Sequence, residues 1–251
     1  ASGREEKRMQ RSVAHKRAAI QRRCGAGTSA ARRTHYPGRM EPSFWTERWH
    51  SGQIGFHERA PNRFLSRYLT RLGAPGRVFV PLCGKAVDLD VLAAAGFDVV
   101  GSELVPLAVE QYFRERGVSP VTRATPSGVA HEGAGLTLVV GDVFAFELEG
   151  KPFDAAYDRA ALVALEPSKR ARYAAKLASL VRPGARMLLV TFDHDAPGGP
   201  PHSVPRAEVN QLFDAAFEVE LLSSENALLD GRFAARGASR ATEEAYLLTR
   251  R

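Results

Sequence analysis

Cysteine is scarce in this sequence: Cys24 and Cys83, 59 positions apart, are the only two among 251 residues. One sits in a polar stretch and the other in an expected turn, so a disulfide framework is not expected and a reducing compartment is. No apolar run reaches 18 residues, which leaves no segment suited to crossing a membrane as a helix. The seven histidines are scattered and neither cysteine has a partner at ligand spacing, so no metal is expected. No Ser-His-Asp or paired-carboxylate arrangement emerges. The fingerprint G-x-G-x-x-G is also missing, which argues against a nicotinamide oxidoreductase.

Acid is scarce in one place. Residues 1–39 hold eleven of the 35 Lys and Arg but only two of the 28 Asp and Glu, so this stretch carries +9 and the remainder −2. The formal charge of +7 therefore belongs to a tail, while the body is slightly acidic. A stretch of Arg, Ala, Ser and Gly with so few large apolar groups cannot offset the cost of ordering its backbone. It reads as an organellar transit segment, as a nucleic-acid-binding arm, or as a disordered basic extension. The last is favoured, because Met40 stands where the patterned chain begins.

What is present centres on Arg77-Val78-Phe79-Val80-Pro81-Leu82-Cys83-Gly84-Lys85, a short β-branched run that stops at Pro and Gly. It predicts a buried strand ending in a tight turn. Ala86 to Ala95 reads as a helix stopped by Gly96, and Asp98 to Leu104 as a second buried strand. Glu103 lies nineteen residues after Gly84, where a nucleotide-binding βαβ unit places an acid on the ribose hydroxyls.

The rest of the chain alternates in the same way. Trp45 and Trp49 stand at i and i+4 on a short helix expected to be capped by Ser43, and Asn62 to Leu72 reads as an amphipathic helix. Pro106 opens a helix that ends at Gly117, and residues 118–135 read as loop. Strands are expected at Leu136–Val140, Phe153–Tyr157, Met187–Phe192, Phe217–Leu222 and Ala245–Thr249, with helices around Tyr173–Val181 and Val209–Ala216. The sum is an α/β fold: a doubly wound, mostly parallel seven-stranded sheet with an antiparallel edge. Ligands of such sheets sit beyond the carboxyl ends of the strands. Leu82, Gly84, Glu103, Asp142, Val143, Asp158, Arg159 and Asp193 stand there. Glu103 would take a ribose and Asp142 an adenine amino group; a helix cap or turn role is the competing reading for each acid.

The motifs Phe44-Trp45-x-x-Arg48-Trp49, Gly52-Gln53-Ile54-Gly55-Phe56-His57 and Arg77 to Leu89 together resemble the thiopurine S-methyltransferase family. Tyr157 to Leu165 and Gly199-Pro200-Pro201 with Ser203-Val204-Pro205 extend the likeness, which runs from about Phe44 to Leu248 and leaves out the tail. The resemblance implies a Rossmann-like class I methyltransferase domain at 40–251, using S-adenosylmethionine. The acceptor would be a small-molecule thiol or a reduced selenium or tellurium species. It further implies a detoxifying, cytoplasmic enzyme, expected to be a monomer without metal, membrane or nucleic-acid partners.

Carried over by motif, the methyl donor would contact Trp45, Phe56, Leu82, Glu103, Asp142, Val143 and Arg159. Arg159 and Arg232 would be the catalytic pair near the acceptor, the second aligned through a variable insert. Aromatic faces such as Trp45 and Phe56 suit a sulfonium, although core packing explains Trp45 and Trp49 as well. For Arg159 the competing reading is a salt bridge to Asp158 or a helix-end contact. Two departures stand out. His202 replaces an aromatic common in the family, which predicts a more polar acceptor pocket, and Glu166 replaces a common Pro at a helix start. A halide or hydrosulfide methyltransferase, or a non-catalytic adenosyl-ligand or RNA-binding module, remain as alternatives.

Overall fold

The computed structural model describes residues 42–251. The expectations for the basic tail, Cys24 and Met40 lie outside the described residues.

The first helix, α1 (Pro42–His50), begins at Pro42, so Ser43 sits in its first turn rather than at its cap. Proline suits that place because the first N–H of a helix has no intrahelical partner. Asn62 caps α2 (Arg63–Tyr68), its side chain accepting from the Phe64 N–H at 2.9 Å, and the last turn (Leu69–Leu72) tightens to a 3₁₀ helix. The central unit follows as β1 (Arg77–Pro81), α3 (Asp88–Ala94) and β2 (Asp98–Glu103). Next comes α4 (Pro106–Glu115), then β3 (Val121–Thr125), β4 (Gly128–Gly133) and β5 (Leu136–Val140). The chain closes with β6 (Phe153–Arg159), α5 (Pro167–Leu180), β7 (Val181–His194), α6 (Arg206–Phe213), β8 (Phe217–Asn226) and β9 (Ala241–Arg250).

The described strands form one sheet in the order β3-β4-β5-β2-β1-β6-β7-β9-β8. It has nine strands, not seven: residues 118–135, expected as loop, contain the antiparallel hairpin β3–β4. Every residue of β3 is exposed or only partly buried, so β3 carries no apolar alternation to announce it. Backbone proximity holds the hairpin instead. A Cβ on Gly128, at φ 134°, would lie 2.0 Å from the Val140 carbonyl oxygen, so only glycine lets this backbone approach β5. Five strands, β5-β2-β1-β6-β7, pair in parallel, and antiparallel strands flank them on both sides rather than at one edge.

The strand order reverses at β1: β2 and β5 extend to one side, β6 and β7 to the other. The crevice outside the strand ends at such a reversal is where these sheets bind ligands. The core is split by the sheet as the pleat requires. Val78 and Val80 pack in one cluster with Leu89, Leu92 and Tyr112, while Phe79 packs in the other with Tyr173, Leu177 and Phe146.

Strand β6 carries two buried acid contacts to opposite faces. The Tyr157 hydroxyl donates to Asp88 (2.9 Å), whose other oxygen accepts the Asn62 N–H (2.7 Å). Asp158 accepts from the Tyr173 hydroxyl (2.7 Å) and the Leu162 N–H (3.1 Å). The competing reading of Arg159 as a salt-bridge partner of Asp158 is therefore not what forms, because adjacent strand residues face opposite sides. Burial raises the Asp158 carboxyl to about 6, with the Tyr173 hydrogen bond opposing.

The sign of the resulting pH dependence follows from linkage. The folded state holds this proton more tightly than the unfolded chain, whose ordinary value is 3.8, so Asp158 adds stability as pH falls from about 6 towards 4. Calorimetric melting of the wild type and Asp158→Asn at pH 7 and pH 5 checks this. The stability of the wild type relative to the variant is expected to rise on acidification. A difference that stays constant would place the proton elsewhere.

Candidate active site

A cavity of ≈ 280 Å³ opens at the carboxyl ends of β1, β2 and β6. Six of the eight residues expected to form a site line it: Trp45, Phe56, Leu82, Glu103, Arg159 and Arg232. Asp142 and Val143 do not. Asp142 caps a short 3₁₀ turn (Val143–Ala145), accepting from the Phe144 N–H at 2.9 Å, and Val143 is buried in the core. Their place at the end of β5 is nevertheless adjacent to Glu103, since the Gly141 N–H donates to the Glu103 carbonyl at 2.8 Å.

Glu103 is buried at the end of β2, and the backbone satisfies both of its oxygens. The Gly84 N–H donates to Oε2 and the Val105 N–H to Oε1, each at 2.8 Å. Burial raises its pKa, against the pull of these backbone donors. A carboxylate can accept about four hydrogen bonds, so capacity remains for hydroxyls of a ligand in the cavity. The turn that meets it is strained in a useful way. Leu82 (φ 47°) and Gly84 (φ 53°) are both left-handed, and a Cβ on Gly84 would sit 3.2 Å from the Trp49 ring. Ala160 (φ 66°), just past β6, also lines the cavity with a left-handed backbone. Non-glycine residues in this region cost of order 1–3 kcal/mol and collect at functional sites.

The aromatic wall comes from α1 and the loop behind it. Trp45 and Trp49 each meet Phe56 edge-to-face, with ring centroids at 5.7 Å and 5.8 Å. The two readings of this pair thus coincide: the rings pack on Val105 and Ala108 and also face the cavity. Trp49 was legible as the i+4 partner of Trp45, and Phe192 as a residue near a strand end; both are cavity residues that the motif transfer leaves out.

Five basic side chains line the cavity (Arg48, Lys85, Arg159, Arg232 and Arg236), with Glu103 as the one carboxylate in its lining. Lys85 pairs with Glu115 at 2.6 Å. Arg236 donates to the carbonyls of Pro197, Gly198 and Pro201, which ties down the proline loop that closes one side. The buried Arg170 holds the same loop from behind, bonding the Leu165 and Ser203 carbonyls and the Glu208 carboxylate. Arg159 donates to the Phe56 carbonyl at 2.9 Å and pairs with Glu58. No periodicity or spacing pointed to Lys85, Arg236 or Glu58, because their roles depend on which loops meet.

Two further groups face the cavity in their neutral forms. Burial, and then the charge of Lys85, lowers the His57 pKa. Burial, and then Glu103, raises the Cys83 thiol well above its ordinary value, so it remains a poor nucleophile. His202 does not line the cavity. Its ring lies against Gly199, where a Cβ would meet Nδ1 at 2.1 Å, so the expected gain in pocket polarity does not come from this side chain. Glu166 stands at the start of α5 ahead of Pro167 and makes no side-chain cap. Among the described residues, no cluster of His, Cys, Asp or Glu is placed to hold a metal ion, and no helix is long and apolar enough to cross a membrane.

Comparison with known proteins bears on the family and the fold. The family described as Thiopurine S-methyltransferase (TPMT) matches residues 40–251. The thiopurine S-methyltransferase of Methylococcus capsulatus is 43% identical over 217 residues, covering 83% of this chain and 97% of that protein. That of Shewanella amazonensis is 42% identical over 218 residues, covering 84% and 100%. Among solved structures, the Burkholderia thailandensis 1,6-didemethyltoxoflavin-N1-methyltransferase, with bound S-adenosylhomocysteine, shares the fold at TM-score 0.59. It is 20% identical, covering 83% of this chain and 86% of that one. TehB from Haemophilus influenzae gives 0.55 at 12% identity, covering 82% and 67%. The chain belongs to the thiopurine S-methyltransferase family and is an S-adenosylmethionine-dependent methyltransferase.

Proposed function

We propose that this enzyme methylates an anionic soft nucleophile: a thiolate of the thiopurine kind, or a reduced selenium or tellurium species, in a detoxifying role in the cytoplasm. The observation that carries the reading is the basic wall of the cavity, five Lys and Arg side chains with Glu103 as the one lining carboxylate, an excess that the adjoining Glu115 and Glu58 offset only in part. S-adenosylmethionine supplies a methyl group already activated on a sulfonium, so the protein's task is alignment and exclusion of water.

Each side chain then has a physical role. Trp45, Trp49 and Phe56 present aromatic faces that attract a sulfonium and keep water from it. Glu103 accepts ribose hydroxyls with the capacity its backbone donors leave. Leu82 carries the left-handed turn that keeps the backbone close to the ligand. Asp142 and Val143, at the end of β5 beside Glu103, take the adenine edge. Arg159 reaches both ligands from the end of β6, and with Arg232 holds the acceptor's negative charge. A thiolate needs no strong base near neutral pH but gains from nearby cations.

Turnover of the full chain with aryl thiols, selenite-derived selenide and halide tests the acceptor class. Thiol or selenol methylation is expected, and volatile methyl halide alone in the headspace would overturn it. If Glu103 holds the ribose as a carboxylate, S-adenosylhomocysteine affinity is full well above its raised pKa and falls as pH drops through it. Glu103→Gln is expected to bind about tenfold more weakly at pH 8 and to lose that pH dependence, as read by titration calorimetry from pH 5 to 8. Arg159→Ala is expected to lower kcat with a thiol by roughly 100-fold while weakening S-adenosylhomocysteine less. Equal losses in both would move Arg159 from the acceptor to the cofactor alone.

A further inference from the structure

We propose that Glu58 sets the charge of the acceptor, admitting monoanions and rejecting dianions such as phosphate. The proposal rests on the reading of Arg159 and Arg232 as acceptor-binding groups and extends it from orientation to selectivity.

Two guanidinium groups reach Glu58 from separate parts of the chain. Arg159, at the end of β6 and with only 8% of its side chain exposed, pairs with Glu58 Oε1. Arg232, from the loop between β8 and β9, brings Nη2 to 3.7 Å from the same oxygen. Arg232 also lies over the Phe192 ring, 5.7 Å from its centroid, so it is held towards the cavity. A pair of converging arginines is a strong site for a planar or tetrahedral dianion. Phosphate and phosphorylated metabolites would fill it readily.

Glu58 changes that outcome. One carboxylate shared by two guanidinium groups leaves a single net positive charge, which matches a thiolate or a hydrogen selenide anion. A dianion would have to displace Glu58 or accept its repulsion at close range. The other nearby acid, the buried Glu243 on β9, also feels Arg159 and Arg232, but it pairs with Arg63 2.6 Å away. Arg63 and Arg67 together balance Glu243 and Glu225, so the count at the arginine pair is unchanged. The position of Glu58 is fixed by the same guanidinium it screens, because Arg159 also holds the Phe56 carbonyl two residues earlier. Its side chain remains 35% exposed, outside the cavity lining but against the two arginines that belong to it. The carboxylate is therefore a charge filter beside the acceptor end.

Titration of inorganic phosphate into the full-length protein loaded with S-adenosylhomocysteine tests this without knowledge of the natural acceptor. Glu58→Gln keeps the size and a hydrogen-bond acceptor for Arg159 but removes the charge. It is expected to bind phosphate at least about tenfold more tightly than the wild type. Glu58→Asp is expected to stay as phosphate-blind as the wild type, and adding Arg159→Ala to Glu58→Gln is expected to abolish the gain. If Glu58→Gln binds phosphate no better than the wild type, the filter is refuted. The same holds if the gain survives the loss of Arg159. Failure of the wild type to methylate any thiol or selenol would instead sink the acceptor reading. The phosphate titration would still judge Glu58, so the two failures are distinguishable.

Discussion

A carboxylate taken out of water at the end of a strand must be satisfied by what surrounds it, and Glu103 is satisfied by the backbone of the turn it faces. The Gly84 N–H from the β1–α3 turn and the Val105 N–H from the start of α4 both donate to it at 2.8 Å. The first bond joins the neighbouring strands β1 and β2 at the point where the sheet reverses direction, and the second sets the path from β2 into α4. Leaving either donor unsatisfied costs about 1–3 kcal/mol, enough to fix the course of the turn. The left-handed Leu82 and Gly84 are the backbone's part of the same arrangement. A buried acid, normally a liability, thus becomes the fixed point of the cofactor end of the cavity.

The opposite end is organised by cations. Arg159, Arg232 and Arg236 come from the end of β6 and from the loop between β8 and β9; the first two share Glu58, while the third is held by carbonyls. Arg236 spends its donors on carbonyls and so braces the proline loop. Arg159 spends one donor on the Phe56 carbonyl and pairs with Glu58, which links the acceptor end to the loop bearing the aromatic wall. The aromatic wall, the acid and the cations are therefore mechanically connected, although they lie far apart in the chain. The buried Asp158–Tyr173 and Asp88–Tyr157 contacts tie β6 to α5 and α3 on opposite faces of the sheet and so fix where Arg159 emerges.

The sequence by itself determined what is local. The β-branched run at 77–81, the glycine turn and Glu103 at its spacing gave the βαβ unit, and strand-end reasoning brought Arg159 and Asp142 into view. Side-chain periodicity records burial, so it located the core helices and the Trp45–Trp49 stripe. It failed at β3–β4, where burial is slight and the pairing rests on Gly128 and backbone approach. Only the tertiary structure decided which side chains share one cavity: that Asp142 and Val143 are not among its lining residues, that His202 turns to Gly199, and that Glu58 meets Arg159 and Arg232. The reason is physical. Pairing of charges across a site depends on how loops a hundred residues apart converge, and no local pattern of burial or turn chemistry specifies that meeting.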